Sequence, residues 1–476
     1  MADGVSHGVG TPLWWVYRLE QRLKREITGQ YIVRPDGVLI WRDGLAKLER
    51  YYDGDHDLPW VRDAETRAEY LRMIERSRSN FMRLVVNAAA ERSTVLGLRL
   101  PGDDEVADTE TWAIWQRNEM EYWAPIAYRT ALSQRRSYLS VWWDQTDNSK
   151  ARIAVEDPQQ CIVEHEPGDR SRRAAGLKMW VDDWTGATHA NLYLPTEIHY
   201  FAWMQNPARS GGAEGWYPRS PAVRNQLGVV PLIPMVNQPN MVGDGVSELD
   251  DLIPIQDRIN ESLLNRQVAE HLSAFRQKWA TGLEIPVDEK TGELVQPYKA
   301  AIDTIWLATD DKAKFGQFDS VDMKNYQVPI EQDLEHLSVL SRTPRHVFMH
   351  QGQAPSGDSM KSDESGLVSK VRGQQRSSFG PAQIEALRLA RRIENLTTPL
   401  DSEIVWADPE WQTFAQLVDG NIKMVQAKVS SLDYAREKLG MTPATIRRVR
   451  SEILADAFTD GLLEPVVEPD GAVAAV

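Results

Sequence analysis

The chain has 476 residues, room for two to four domain-sized units, with 42% hydrophobic and 26% charged residues, an ordinary globular balance. A formal net charge of −15 excludes a basic polyanion-gripping protein, since neutralising phosphates takes Lys and Arg, but leaves room for a surface that DNA slides past. The single cysteine, Cys161, allows no intramolecular disulfide and fits a reducing compartment; neither a signal peptide nor an apolar run of membrane-spanning length is visible.

The first third reads mainly as helix. Residues 14–27 are amphipathic, and 45–52 form a short helix ending at the turn Asp53-Gly54. Residues 64–96 read as one long helix, with Phe81, Leu84, Val85 and Ala88 at helical spacing, and 110–137 as another. The period then changes. Short strands are predicted over 138–143, 152–155, 161–163, 175–183, 189–194 and 197–203, with Trp184-Thr185-Gly186 as a hairpin turn; together they read as an antiparallel meander. Residues 229–239, with three prolines, read as a linker. Ser247 is a candidate N-cap. The helix that follows, over 249–280, spans about 45 Å at helix rise. A hairpin signal, Asp288-Glu289-Lys290-Thr291-Gly292, and a strand at 302–307 precede a second helix at 328–340. A polar Gly/Ser loop leads into a helix over 362–395, bent near Gly373 or Gly380-Pro381. The tail from 401 reads as helical, with Ser431 and Thr442 as caps. The fold class is α+β, mainly helical.

No catalytic, cofactor or metal site is expected. There is no phosphate-binding P-loop, no H-E-x-x-H, no cysteine cluster and no G-x-S-x-G elbow. His346 and His350 share a helical step but lack a fixed carboxylate partner. Asp244, Glu248, Asp250 and Asp251 are an acidic cluster, which a helix N-terminus favours without any cation. Asp53, Asp55 and Asp57 alternate as in a calcium loop but lack its terminal Glu, so a turn is the better reading. Lys361, Lys370, Arg372, Arg376, Arg388, Arg391 and Arg392 lie along the last long helix, either as a solvated face or in weak contact with a polyanion or acidic neighbours. The 17 tryptophans are scattered, which favours packing and subunit surfaces over a glycan site.

The order of parts resembles the portal proteins of long-tailed phages, in the Gp6-like group common among actinobacterial phages. The matching segments are Leu48-Glu49-Arg50-Tyr51-Tyr52-Asp53-Gly54, the run from Asn87 to Gly97, Val230-Pro231-Leu232-Ile233-Pro234 with Asn237-Gln238-Pro239, Gly245-Val246-Ser247-Glu248-Leu249, Ile255-Gln256-Asp257-Arg258-Ile259-Asn260, and Trp279-Ala280-Thr281-Gly282. They cover about 45–439 and leave the first forty residues without a role. The resemblance implies a ring, dodecameric in virions, at one capsid vertex. It implies a wing (1–248), two stem helices (249–280 and 328–344), a clip (281–327), a tunnel loop (345–361), a long wing helix (362–400) and a crown with the tail (401–476). The tunnel-loop residues facing DNA would be His350, Gln351, Gly352, Gln353, Ser356, Gly357, Ser359 and Lys361. Asp288, Glu289, Lys290, Thr291 and Gly292 would meet the packaging motor and connector. Asp257, Arg258, Asn260 and Asn265 would lie on the stem. The implied partners are other copies of the chain, double-stranded viral DNA passing without sequence preference, the large terminase, a head-completion adaptor, and major capsid and scaffolding proteins, with no membrane and no cofactor. A carbohydrate-active enzyme and an assembly scaffold or adaptor are the alternatives; no carboxylate pair at glycosidase separation can be picked from the sequence.

Overall fold

The computed structural model describes residues 8–33, 39–57, 67–100, 108–204, 215–240, 243–274, 278–281, 314–317, 322–349, 357–399, 401–410 and 414–459. Helix α1 (Pro12–Thr28) starts on Thr11, whose hydroxyl accepts the Trp14 N–H, with Pro12 pre-set at the first turn. It is followed by a hairpin, β1 (Gly29–Val33) with β2 (Leu39–Asp43), and by α2 (Leu45–Asp53), which closes on left-handed Gly54.

The long helix expected over 64–96 is two helices, α3 (Arg67–Ser77) and α4 (Met82–Ala90), and then strand β3 (Val95–Arg99). The break has a distant cause. Gln256 accepts the Phe81 N–H (3.1 Å) and donates to the Ser79 carbonyl (2.8 Å), so this backbone is bound from 175 and more residues away and cannot continue a helix. The helix expected over 110–137 likewise divides into α5 (Thr109–Arg117) and α6 (Met120–Ser133), with Glu119 left-handed at φ 52° between them.

The meander resolves into two sheets. A six-stranded antiparallel sheet runs β10–β9–β8–β7–β6, built from β6 (Cys161–Glu166), β7 (Asp169–Val181), β8 (Thr188–Tyr193), β9 (Glu197–Met204) and β10 (Gly215–Pro218), with β11 (Val223–Arg224) also on β9. A three-stranded sheet places β4 (Arg136–Trp143) between β5 (Ala151–Glu156) and β12 (Leu232–Val236). The expected linker at 229–239 thus contains an edge strand. Pro234 is tolerated there because an edge strand has one side with no ladder to complete.

Three apolar clusters hold these parts. Val16, Leu19 and Leu23 of α1 pack on Ile162, Leu177, Leu192 and Phe201 of the large sheet. Tyr138, Cys161, Val163 and Leu232 join the two sheets. The largest cluster gathers α2, α4, α6, the small sheet and the later helices.

Helix α7 (Ile253–Ala274) is shorter than expected and gives way to strand β13 (Lys278–Thr281), antiparallel to β14 (Lys314–Gln317). Helix α8 (Lys324–Ser341) returns beside α7, burying Ile330, Leu334 and Leu337. After the short α9 (Arg345–Phe348), helix α10 (Gly357–Gln374) passes through a π-turn (Gln375–Phe379) into α11 (Gly380–Ile393), near the expected bend. Gly380 is needed here: a Cβ would meet the Gln375 carbonyl oxygen at 2.7 Å. The tail opens on a strand, β15 (Glu403–Trp406), paired with β3, before α12 (Phe414–Gln426), α13 (Leu432–Lys438) and α14 (Pro443–Thr459). Ser431 and Thr442 do cap, accepting the N–H of Tyr434 and Thr445.

Candidate functional site

The α7/α8 pair is rooted in the body by polar side chains on the apolar face of α7. Asn260 is buried beside Ile259. Its Oδ1 accepts from Gln256 Nε2 (3.0 Å) and from the Ser79 N–H (3.2 Å), and its Nδ2 donates to His56 Nδ1 (2.9 Å). His56 Nε2 lies 3.1 Å from the Tyr51 carbonyl, so the ring is neutral with its proton on Nε2. Burial holds the His56 pKa below its ordinary value, consistent with that tautomer. Tyr51, wholly buried, donates its hydroxyl to Asp257 Oδ1 at 2.8 Å. Burial raises the pKa of both Tyr51 and Asp257. On the other side of α7, Arg258 reaches across to Asp333 of α8 at 2.5 Å.

A second polar node closes the end of the pair where α7 begins and α8 stops. Lys370 of α10 contacts Glu248 at 3.1 Å and donates to the Ser341 carbonyl at 2.7 Å, with both charged side chains only 6% exposed. Glu248 also accepts from Gln374 (2.8 Å), Gln238 (2.9 Å) and Asn237 (3.2 Å). The segment entering α7, the end of α8 and the last turn of α10 therefore meet at one carboxylate. Beside it lies a cleft of about 340 Å3, lined by Glu248, Asp251, Leu252, Leu340, Arg342 and Lys370. The outward side of α8 carries Val328, Val339 and Leu340, exposed by 52%, 70% and 59%.

The four stem candidates divide. Asp257 and Asn260 face inward to the root, whereas Arg258 and Asn265 are exposed. Gly357, Ser359 and Lys361 are not in a loop: α10 begins at Gly357, five residues earlier than expected. His350, Gln351, Gly352, Gln353 and Ser356 lie outside the described residues, as do Asp288, Glu289, Lys290, Thr291 and Gly292. Three members of the acidic cluster are taken up by cations, Asp244 by Arg42, Asp250 by Arg135 and Glu248 by Lys370, and Asp251 is exposed. Asp53, Asp55 and Asp57 form a turn paired with Arg83, Arg78 and Arg50. Among the late basic residues, Lys370 and Arg391 are buried, the latter on Asp108, and Arg372 pairs with Asp408, so internal pairing replaces polyanion contact for these three. Among the described residues no cluster of three or more His, Cys, Asp or Glu is placed to hold a metal, and no helix is long and apolar enough to cross a membrane.

The reading of the sequence missed Tyr51, His56, Gln256, Lys370 and Gln374 as parts of these nodes. Gln256 and Asn260 left a signal, two amides four residues apart beside Ile255 and Ile259 on an apolar face. Lys370 left none, because its partner is 122 residues away.

Residues 42–450 match the family model described as phage portal protein, SPP1 Gp6-like. The chain belongs to this portal protein family. Among its relatives is the portal protein of Mycobacterium phage D29, 28% identical over 416 residues, covering 83% of this chain and 82% of that one. The portal protein of Mycobacterium phage L5 is 27% identical over 421 residues, covering 84% and 83%. A solved structure titled as the neck of an empty GTA particle computed with C6 symmetry aligns at a TM-score of 0.46 and 11% identity, over 87% of this chain and 96% of that one. Portal proteins are structural components of the virion, and the carbohydrate-active alternative gains nothing from the family. The portal match begins at residue 42, so α1, which packs on the large sheet, and β1 lie outside it.

Proposed function

We propose that this chain forms the ring through which double-stranded viral DNA is packaged, retained and ejected at one capsid vertex. The observation that carries the reading, given the family, is the antiparallel α7/α8 pair: rooted by buried polar bonds on one side, exposed and apolar at Val328, Val339 and Leu340 on the other. A ring with rotational symmetry joins two different faces of each subunit, and apolar surface left bare on the single chain is what such a contact consumes.

In this reading α7 and α8 are the stem and 281–327 the clip that meets the large terminase and later the head-completion adaptor. Residues 350–356 are the DNA-facing tunnel loop, 1–248 with α10 and α11 the wing, and 401–476 the crown. Scaffolding and major capsid proteins surround the ring. The net charge of −15 per chain makes a dodecamer strongly negative, and in this reading the lumen shares that sign and lets phosphates pass without gripping them. Asp257 and Asn260 serve by fixing the stem to the body, not by touching DNA. Negative-stain microscopy of the purified chain tests this. Rings with an open centre are expected; a strictly monomeric species at high concentration would overturn it.

A further inference from the structure

We propose that the β1–β2 ribbon of each copy docks on the end of helix α8 of the next copy, with Tyr31, Leu39 and Trp41 seated on Val339 and Leu340. The inference rests on the portal reading and names what covers the bare end of α8.

The ribbon carries a bare apolar face. Tyr31 stands opposite Trp41 in the register, and Leu39 is two residues from Trp41, so the three share one side. Tyr31 is 66% exposed, Leu39 61% and Trp41 49%. The face is also stiff. The Trp41 Nε1–H donates to Asp43 Oδ1 (3.0 Å), and the indole meets the Tyr31 ring edge-on at 5.0 Å. A Cβ at Gly29 would lie 2.7 Å from the indole, so a glycine makes room for it. Aromatic side chains already held in place lose little freedom when a partner buries them, and they carry much of the energy of contacts.

Symmetry selects the occupant. A head-to-tail ring joins two different faces of each copy, and rotation about the ring axis moves neither up nor down, so the two must sit at one height. With α7 and α8 along the axis, the segment 244–250 fixes that height for both. On one flank Arg42, next to Trp41, donates to the Gly245 carbonyl (2.5 Å) and pairs with Asp244. On the other, Glu248 meets Lys370, which donates to the carbonyl of Ser341, the neighbour of Leu340. Gly245 and Glu248 are three residues apart, at most about 10 Å. The clefts on the two flanks share no lining residue, so the ribbon and the end of α8 lie on different sides of the segment. Tyr122 and Trp123 are exposed too, but about 15 Å of α6 separates them from Leu132, whose carbonyl accepts the Glu248 N–H. Charge does not oppose the contact. Beside Val339 and Leu340, Glu335 pairs with Arg345 while His336 and Arg342 are exposed; on the ribbon Arg42 and Asp43 are both paired. Joining ribbon to helix end covers both bare faces at once, whereas a foreign protein on the ribbon would leave the end of α8 open.

The test uses purified rings assembled from isotopically labelled and unlabelled chains, with benzoylphenylalanine at position 31, irradiation and mass-spectrometric mapping. The expected product joins position 31 to the end of α8 in a differently labelled copy. Tyr31→Ser with Leu39→Ser changes two exposed positions, so below the ring-forming concentration the variant should melt as the wild type does. The concentration at which half the chains are in rings should rise about thirtyfold, a hot-spot loss. That rise should be equal at low and high salt, because the contact uses no ion pair. Intact rings that link position 31 within one chain, to another part of the neighbour or to nothing would overturn the contact, as would wild-type assembly by the double variant. Early melting of the unassembled variant would overturn it too, by making the face part of the chain's own support. A wild-type chain that forms no rings overturns the portal reading, and this contact with it.

Discussion

The Glu248–Lys370 pair offers the sharpest energetic test, because its two halves are supported unequally. Replacing Lys370 by Met leaves the Glu248 carboxylate with three amide donors, from Gln374, Gln238 and Asn237. Replacing Glu248 by Leu leaves the Lys370 ammonium with only the Ser341 carbonyl, and frees those amides as well. Breaking a buried pair from one side costs about 3–5 kcal/mol. We expect Glu248→Leu in that range and Lys370→Met below it, at roughly 2–3 kcal/mol, since hydrogen bonds to a charged group return about 1.5–3 kcal/mol each. At about 2 °C per kcal/mol for a large unit, the Leu variant should melt on the order of 6–10 °C early. The double variant should lose less than the sum, because no uncompensated charge remains. Calorimetry of the four proteins at one concentration measures this. If Lys370→Met costs as much as Glu248→Leu, or if the two losses simply add, the carboxylate is not the hub described.

Three further outcomes are expected. Asn260→Ala strips partners from the Ser79 N–H, Gln256 and His56 at once, and should cost roughly 2–4 kcal/mol by denaturant unfolding. His56 has its folded pKa below the unfolded value of about 6.5, so the unfolded chain takes up the proton first; stability should fall as pH drops through that region, and His56→Gln should flatten the slope of melting temperature between pH 7 and 5. Val339→Asp with Leu340→Asp changes only exposed positions, so folding should hold within about 0.5 kcal/mol while light scattering shows the ring lost; intact rings would move the subunit contact elsewhere.

Much of the architecture was legible in the sequence because it rests on local signals. The period-2 run of short strands, the Trp184-Thr185-Gly186 turn, the Gly54 stop and the caps Ser431 and Thr442 each depend on neighbours in the chain. What failed depends on distant ones. No window around Ser79 reveals that Gln256 and Asn260 claim its backbone, so α3 and α4 read as one helix. Prolines at 231 and 234 looked like a linker because a sequence does not say which strand is an edge. At the candidate site, spacing placed Asp257, Arg258, Asn260 and Asn265 on one helix. Their division into inward and outward pairs required knowing that Tyr51 and His56 fill the space beside it.

The packing of α1 bears on where this molecule begins as a folding unit. Family likeness starts at residue 42, yet the floor on which Ile162, Leu177, Leu192, Phe201 and Trp216 rest is supplied by Val16, Leu19 and Leu23. A chain trimmed to the shared region would lay one side of its large sheet open to water, with the Trp216 indole deprived of its bond to Glu20. The family match and the packed core draw different borders here. A segment outside the family match serves as the lining for a part inside it, and anyone shortening the chain for expression should cut before Pro12, not at the edge of the likeness.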